Sequence, residues 1–215
     1  QFARIGLKVG DELVVRAYSV VSSPFDETLE FFSIVVPDGA FTSNLQHLKV
    51  NDELYLEKIP YGYLTLARYQ LPLPQDLWLL GTGTGLAPFI SMLQDFETWQ
   101  KYSTINLVYS VRTASELAYA ERIQYIADSF GEGHTGFKFI PIITRDPEAT
   151  LHDRLPILIE NGELEKVAGT TFNAETTHIM LCGNPQMVED TKEALKARGL
   201  TMNRRGEGNI AVENY

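Results

Sequence analysis

The chain changes its hydrophobic rhythm once, near residue 70. Ahead of that point the apolar runs are short and strand-like, separated by turn signals at Gly10-Asp11, Ser23-Pro24, Pro37-Asp38-Gly39 and Asn51-Asp52. The spacing predicts strands near 2–7, 13–20, 29–36, 53–58 and 62–66 and one short helical turn at Thr42 to His47, hence an antiparallel sandwich or barrel. Five strands leave such a barrel without a closing strand. Because Gln1 already stands inside an alternating apolar run, we expect that strand to lie upstream of it.

From Asp76 onward the pattern alternates strand-like apolar runs at 77–80, 105–110, 137–144, 179–182 and 209–213 with amphipathic segments at about 87–100, 115–129, 153–160 and 185–198. That alternation predicts an open, doubly wound parallel sheet with helices on both faces. Leu71-Pro72-Leu73-Pro74 interrupts both periodicities. The expected organisation is therefore a β domain at 1–70, a linker at 71–75 and an α/β domain at 76–215.

Composition narrows the function. With 215 residues, 44% of them hydrophobic, the chain can bury a core without staples. Eighteen Lys+Arg against 28 Asp+Glu give a net charge of -10, which repels polyanions, so neither nucleic acid nor an anionic membrane face is an expected partner. An anionic ligand then needs a local basic site. The lone Cys182 excludes an internal disulfide and a CxxC motif, which fits a cytoplasmic location. No apolar stretch reaches about 18 residues, so no membrane span is expected.

Gly81-Thr82-Gly83-Thr84-Gly85-Leu86-Ala87-Pro88 runs from a buried strand through a glycine-rich turn into a helix. Read alone, it is either a tight turn or a cradle in which backbone N–H groups face a pyrophosphate. It is not GxGxxG, and it has no Walker lysine. Arg16-Ala17-Tyr18-Ser19 alternates on its strand so that Arg16 and Tyr18 share a face, either a solvated β surface or a guanidinium and stacking ring for a phosphorylated heterocycle. Gly39-Ala40-Phe41-Thr42-Ser43 is a helix start that serves as an N-cap or a phosphate contact. Cys182-Gly183-Asn184-Pro185 closes a strand and opens a helix; Cys182 is either a catalytic thiol, for which none of His47, His134, His152 and His178 is spaced as a base, or a packing residue, with a polar, non-nucleophilic place beside a ligand as the middle reading. Arg112, Arg145 and Arg154 fall at or near the carboxyl ends of strands, where they are either loop ion pairs or an anion site.

In this order, together with Glu213-Asn214-Tyr215, these motifs resemble the series of the ferredoxin:NADP reductase family in its bacterial ferredoxin/flavodoxin reductase branch. The resemblance implies a FAD-binding antiparallel β-barrel, here lacking its first strand, followed by an NADP-binding α/β domain. It implies that Arg16 holds the flavin phosphates, with Ala17 beside it, while Tyr18 stacks on the isoalloxazine and Ser19 reaches its N5. Phe32, Ser33 and Ile34 would lie along the flavin, and Ala40, Phe41, Thr42 and Ser43 would bind pyrophosphate. Gly83, Thr84 and Gly85 would receive NADP(H), with Cys182, Gly183 and Asn184 at the nicotinamide and Arg112, Thr144, Arg145 and Arg154 around the 2′-phosphate. Glu213 resembles the family's proton-handling carboxylate and Tyr215 its terminal shielding aromatic.

The implied activity passes electrons between NADPH, which gives a hydride, and ferredoxin or flavodoxin, which takes single electrons, through FAD. The alternative on the same two domains is an NAD(P)H-dependent flavin or quinone reductase, or the reductase component of an oxygenase. A monomer is expected, with Lys8, Lys49, Lys58, Arg204 and Arg205 as candidates for the carrier's docking face.

Overall fold

The computed structural model describes residues 1–69, 75–134 and 136–214, Asn214 by its backbone alone. Most of the expected linker, 71–74, and Tyr215 lie outside the described residues.

In the β half, β1 (Phe2–Val9) and β2 (Glu12–Ser19) pair antiparallel along their full lengths, from Val9↔Glu12 at the Gly10-Asp11 turn to Phe2↔Ser19. Period-two alternation buries Ala3, Ile5 and Leu7 on one face of β1. After α1 (Thr42–Leu45), the short β3 (Tyr55–Leu56) pairs with the other edge of β1, giving the order β2-β1-β3. Ile5, Leu7 and Phe41 form a small separate core under this curled sheet.

Two strand expectations need correction. Residues 29–36 touch the sheet at one bridge, Val20↔Phe31, and Ile34, Val35 and Val36 are half exposed. No described strand runs beside them, so the β-branched run has no ladder to join. Residues 62–66 are not a strand because Gly62 turns the backbone to φ 89° after the Phe2↔Tyr61 bridge, and Thr65 N–H closes on the Tyr63 carbonyl. A 3-10 turn at 66–68 follows, which directs Leu64, Leu66 and Tyr69 inward.

The second half contains β4 (Asp76–Thr82), α2 (Ala87–Leu93), α3 (Phe96–Lys101), β5 (Thr104–Val111), α4 (Ala120–Phe130), β6 (Phe137–Ile143), α5 (Leu155–Glu160), α6 (Glu163–Ala168), β7 (Thr177–Gly183), α7 (Pro185–Ala197) and β8 (Ile210–Asn214). The five strands are parallel in the order β6-β5-β4-β7-β8. Leu77 to Leu80 on β4 have no exposed surface, as expected of a central strand covered on both faces.

The helices depart from expectation where side chains intervene. The segment expected at 87–100 breaks between α2 and α3, where the Asp95 carboxylate caps the Glu97 N–H and restarts the helix. The segment expected from 115 begins as a 3-10 turn over 114–116, and α4 starts only after Tyr119, whose φ of 62° is left-handed. An ordinary L-residue loses about 1–2 kcal/mol in that region. The helix α6 was not foreseen; it packs Leu164 and Ala168 into the core with α5.

The two halves share a core. Val21, Leu64, Leu66 and Tyr69 join Leu79, Phe89, Ile105, Met180 and Ala211 in one buried cluster on the α2 side of the parallel sheet, while α5, α6 and α7 cover the opposite face. Tyr69 is the anchor. Its ring stacks on His178 with centroids 3.5 Å apart, and its hydroxyl is shared between the carbonyls of Ile179 (2.7 Å) and Asn209 (3.0 Å). Tyr102 Oη lies 2.9 Å from His178 Nδ1.

Burial lowers the His178 pKa to about 4 and pushes both phenols up, so the imidazole is neutral at neutral pH and shares a hydrogen bond with the Tyr102 hydroxyl. The unfolded chain takes up a proton near pH 6.5 that the folded chain refuses until about 4, and stability is therefore lost as pH falls through that window, by roughly 3 kcal/mol at most. The expected outcome is that His178→Gln flattens the pH dependence of urea-unfolding free energy between 6.5 and 4; an unchanged slope would exclude the imidazole as its source.

Candidate functional site

The chain runs outward from β4 through β5 to β6, then returns to β7 on the other side of β4. This reversal places a crevice at the carboxyl ends of β4 and β7, the usual ligand position in an open α/β sheet. Two glycine-containing loops form its floor. A Cβ on Gly85 would sit 2.2 Å from the Cys182 carbonyl oxygen, and one on Gly183 would sit 2.3 Å from Thr82 Oγ1. These glycines thus let two backbones touch. Asn184 N–H donates to Thr82 Oγ1 at 3.3 Å, and the Asn184 side chain caps α7 by accepting from the Gln186 and Met187 N–H groups.

Gly83 and Thr84 stand half-buried at the lip, and a Cβ on Gly83 would meet nothing within 4 Å. Cys182 is wholly buried in the shared core. Its thiol can wall a neighbouring site but has no open approach for attack on a ligand.

The end of β2 and the end of β8 meet over this crevice. β8 continues the sheet beside β7 with Cys182↔Glu213 in register, and Ser19 Oγ donates to Glu213 Oε2 at 3.3 Å. Glu213 Oε1 lies against Gly62, where a Cβ would approach it to 2.5 Å. Burial raises the Glu213 pKa above the ordinary carboxylate range, while the Ser19 hydroxyl works in the opposite direction.

One residue before Ser19, the Tyr18 hydroxyl lies 3.2 Å from Ser33 Oγ and its ring packs 5.8 Å from Phe41. The structure thereby brings Tyr18, Ser19, Phe32, Ser33, Phe41, Cys182 and Glu213 to one region. Arg16 and Ala17 are exposed on β2; Arg16 Nη1 donates to the adjacent Val15 carbonyl, and among the described residues no carboxylate pairs with it. Ile34 and Ala40 are exposed. Thr42 Oγ1 accepts the Val36 N–H at 2.9 Å and Ser43 Oγ donates to the Gly39 carbonyl at 2.6 Å, so both hydroxyls also fold their own turn.

The basic residues divide. Arg145 N–H donates to the Arg112 carbonyl at 2.8 Å and Thr144 N–H to the Val111 carbonyl, which sets Arg112, Thr144 and Arg145 side by side at the ends of β5 and β6. The Arg112 guanidinium is held by Glu116, with Nη2 to Oε1 at 2.8 Å, and the same carboxylate accepts the Arg112 N–H at 2.9 Å. That contact favours the charged carboxylate and lowers the Glu116 pKa. Arg145 and Arg154 form no ion pair among the described residues. Arg154, the residue preceding α5, opens onto a groove shared with Glu160, Asp190 and Glu193, and its loop returns to the end of β6, where the Ile143 N–H donates to the Leu151 carbonyl at 3.0 Å.

Sequence reasoning missed Gly62, Glu116 and a cross-domain cluster. Glu30 accepts from the Tyr119 hydroxyl (2.8 Å) and from Arg122 Nη1 (2.5 Å), and Arg122 Nη2 donates to Gln94 Oε1, whose amide nitrogen reaches the Val21 carbonyl. Glu30 and Arg122 are 92 positions apart, and no local pattern links them. Gly62, between two tyrosines in an apolar run, carried a usable signal for a close backbone approach.

The oxidoreductase NAD-binding domain family matches residues 79–193. The chain is 41% identical to the ferredoxin–NADP reductase of Pseudomonas aeruginosa, over 99% of this chain and 84% of that protein. It is 39% identical to the flavodoxin/ferredoxin–NADP reductase of Escherichia coli, over 89% and 76%. A crystal structure of a ferredoxin NADP+ reductase from Neisseria gonorrhoeae with bound FAD and NADP superposes with a TM-score of 0.91 at 36% identity, covering all of this chain and 85% of that one.

Gly62 offers a direct check on the convergence of the two sheets. Gly10 and Gly62 both have positive φ, but a Cβ on Gly10 meets nothing within 4 Å. Alanine at either position meets the left-handed penalty, and Gly62→Ala must in addition displace Glu213 or the Phe2 ring. Gly62→Ala is expected to lose about 1–2 kcal/mol more than Gly10→Ala in urea denaturation; equal losses would show that Glu213 is not held there.

Proposed function

Since this chain belongs to the ferredoxin–NADP reductase family, we propose that it is a FAD-dependent oxidoreductase passing electrons between NADPH and a one-electron carrier, ferredoxin or flavodoxin. The observation that carries this reading is the Ser19–Glu213 hydrogen bond, which sets the Tyr18 strand end over the carboxyl ends of β7 and β8. Bound flavin supplies the exchange between two-electron and one-electron chemistry.

The residues present fit such a group. Tyr18 offers a half-buried ring tethered through its hydroxyl to Ser33, a fixed surface for a flat heterocycle. Arg16, exposed and without a carboxylate among the described residues, is placed to grip phosphate, with the turn at 40–43 as a second contact. Phe32 and Ser33 line the same region, and Ile34 extends it. For NADPH, the open lip at Gly83 and Thr84 admits a pyrophosphate close to backbone, while Gly85, Gly183 and Asn184 hold that floor rigid. Arg112 and Arg145, with Thr144 beside Arg145, offer two guanidiniums to a 2′-phosphate; Arg154 joins them from the loop that returns to β6 at Leu151.

Glu213 is the proton-holding group. Its Oε2 accepts from Ser19, which leaves Oε1, on the Gly62 side, to carry a proton retained to higher pH than on an exposed glutamate. Cys182 excludes water beneath it. Tyr215 is proposed as the shielding aromatic on the strength of the family resemblance alone.

We also infer a monomeric cytoplasmic protein that binds no nucleic acid, on the net charge of -10 and the single buried cysteine. No described helix is long and apolar enough to cross a membrane. Arg204, Arg205 and lysines of the β half, Lys8, Lys49 and Lys58, are the proposed carrier contacts.

Spectroscopy, acceptor and cofactor preference, and a pH profile test this reading. Purified protein reconstituted with FAD is expected to be yellow and bleached by NADPH, and to reduce ferredoxin or flavodoxin faster than free flavin; Arg145→Ala should lose most of its preference for NADPH over NADH. Colourless protein, or an unchanged preference, would overturn the cofactor or the phosphate assignment respectively. In the kcat–pH profile, a process needing neutral Glu213 falls as pH rises through the raised pKa, and Glu213→Gln, neutral at every pH, should erase that limb. A limb that persists in the variant belongs to another group.

A further inference from the structure

Tyr119 holds a conformation that its own backbone resists. Its φ of 62° and ψ of 11° place a bulky L-residue in the left-handed region immediately before α4, at a position glycine would occupy without strain. Such strain persists only where surrounding contacts over-determine it. The contacts lie across the boundary between the two halves.

The Tyr119 ring meets Phe32 edge to face, with centroids 5.3 Å apart and planes at 80°. Its hydroxyl donates to Glu30 Oε1 at 2.8 Å, and burial, followed by that carboxylate, pushes the phenol pKa up. Arg122, one turn into α4, pairs with Glu30 Oε2 and sits 5.8 Å from the Tyr119 ring centre. Residues 30–33 make one bridge to the sheet and are otherwise held by side chains: the Glu30 N–H donates to Ser22 Oγ at 3.0 Å, and Phe31 and Phe32 pack against the two neighbouring cores. Ser33, next to Phe32, fixes the Tyr18 hydroxyl. A contiguous path thus runs from the strained residue through Phe32 and Ser33 to Tyr18.

We propose that Tyr119 is a positioning residue: its ring, projected from the α/β half, buttresses Phe32 and thereby fixes the orientation of Tyr18 toward the flavin. The proposal rests on the flavin reading above. It explains why tyrosine stands where glycine would suit the backbone better: glycine has no ring to brace an unladdered segment.

The test uses the purified chain and FAD as the probe, with Tyr119→Gly, Tyr119→Phe and, should the glycine variant fail to fold, Tyr119→Asn, which tolerates the left-handed region. The readouts are the FAD dissociation constant from flavin fluorescence quenching, the visible circular dichroism of bound flavin, and urea stability of the apoprotein. Tyr119→Gly or Tyr119→Asn is expected to bind FAD about tenfold more weakly with an altered visible dichroism band. Tyr119→Phe, which keeps the ring, should retain most of the affinity and the wild-type band.

A purely structural role predicts instead that affinity follows apoprotein stability across the three variants. Wild-type affinity and band shape in the ringless variants would overturn the proposal, as would equal losses in Tyr119→Phe and Tyr119→Gly. Failure of the wild-type chain itself to bind FAD would sink the underlying flavin reading rather than the role of Tyr119.

Discussion

A single hydrogen bond, from Ser19 to a carboxylate 194 positions later, expresses the constraint on which the site depends. It forms only if the end of an antiparallel strand and the end of the last parallel strand reach the same point. The bond itself is modest, on the order of 1–2 kcal/mol. What enforces the meeting is the shared core beneath it, where Val21, Leu64, Leu66 and Tyr69 pack into the cluster of Leu79, Phe89 and Met180. Separating the halves would expose that cluster to water, so burial opposes it.

Local chemistry is subordinate to that arrangement. The glycines at 85 and 183 bring the loop after β4 against the loop after β7, and Asn184 ties the contact to the start of α7. Glu213 owes its raised pKa to burial between Ser19 and Gly62, a neighbourhood drawn from three distant parts of the chain. Arg112 shows the reverse case: its partner Glu116 is four residues away, so the ion pair is a local product of the turn after β5.

The junction between the halves also holds a bulky residue in a left-handed conformation. Tyr119 is left-handed, and its hydroxyl and the Arg122 guanidinium converge on Glu30, a carboxylate of the β half. The segment carrying Glu30, Phe32 and Ser33 lacks a strand partner among the described residues, so side chains from the α/β half do the work that a ladder does elsewhere.

The sequence alone determined the two-part architecture, because strand and helix periods are local properties: the rhythm changes near residue 70, and β1, β2, the five parallel strands and α7 lie close to where alternation and capping signals put them. It also determined the glycine-rich loops and their position at strand ends. It misjudged 29–36 and 62–66, where a β-branched run had no neighbour and Gly62 broke the chain's direction, and it ran one helix across Asp95. Strand formation needs a partner, and a partner is not a local quantity. Only the tertiary structure decided that Glu213 is buried against Ser19 and Gly62, that Thr42 and Ser43 fold their own turn, and that Glu30 meets Arg122. Each of these rests on side chains made neighbours by packing, and packing is set by the whole buried surface at once.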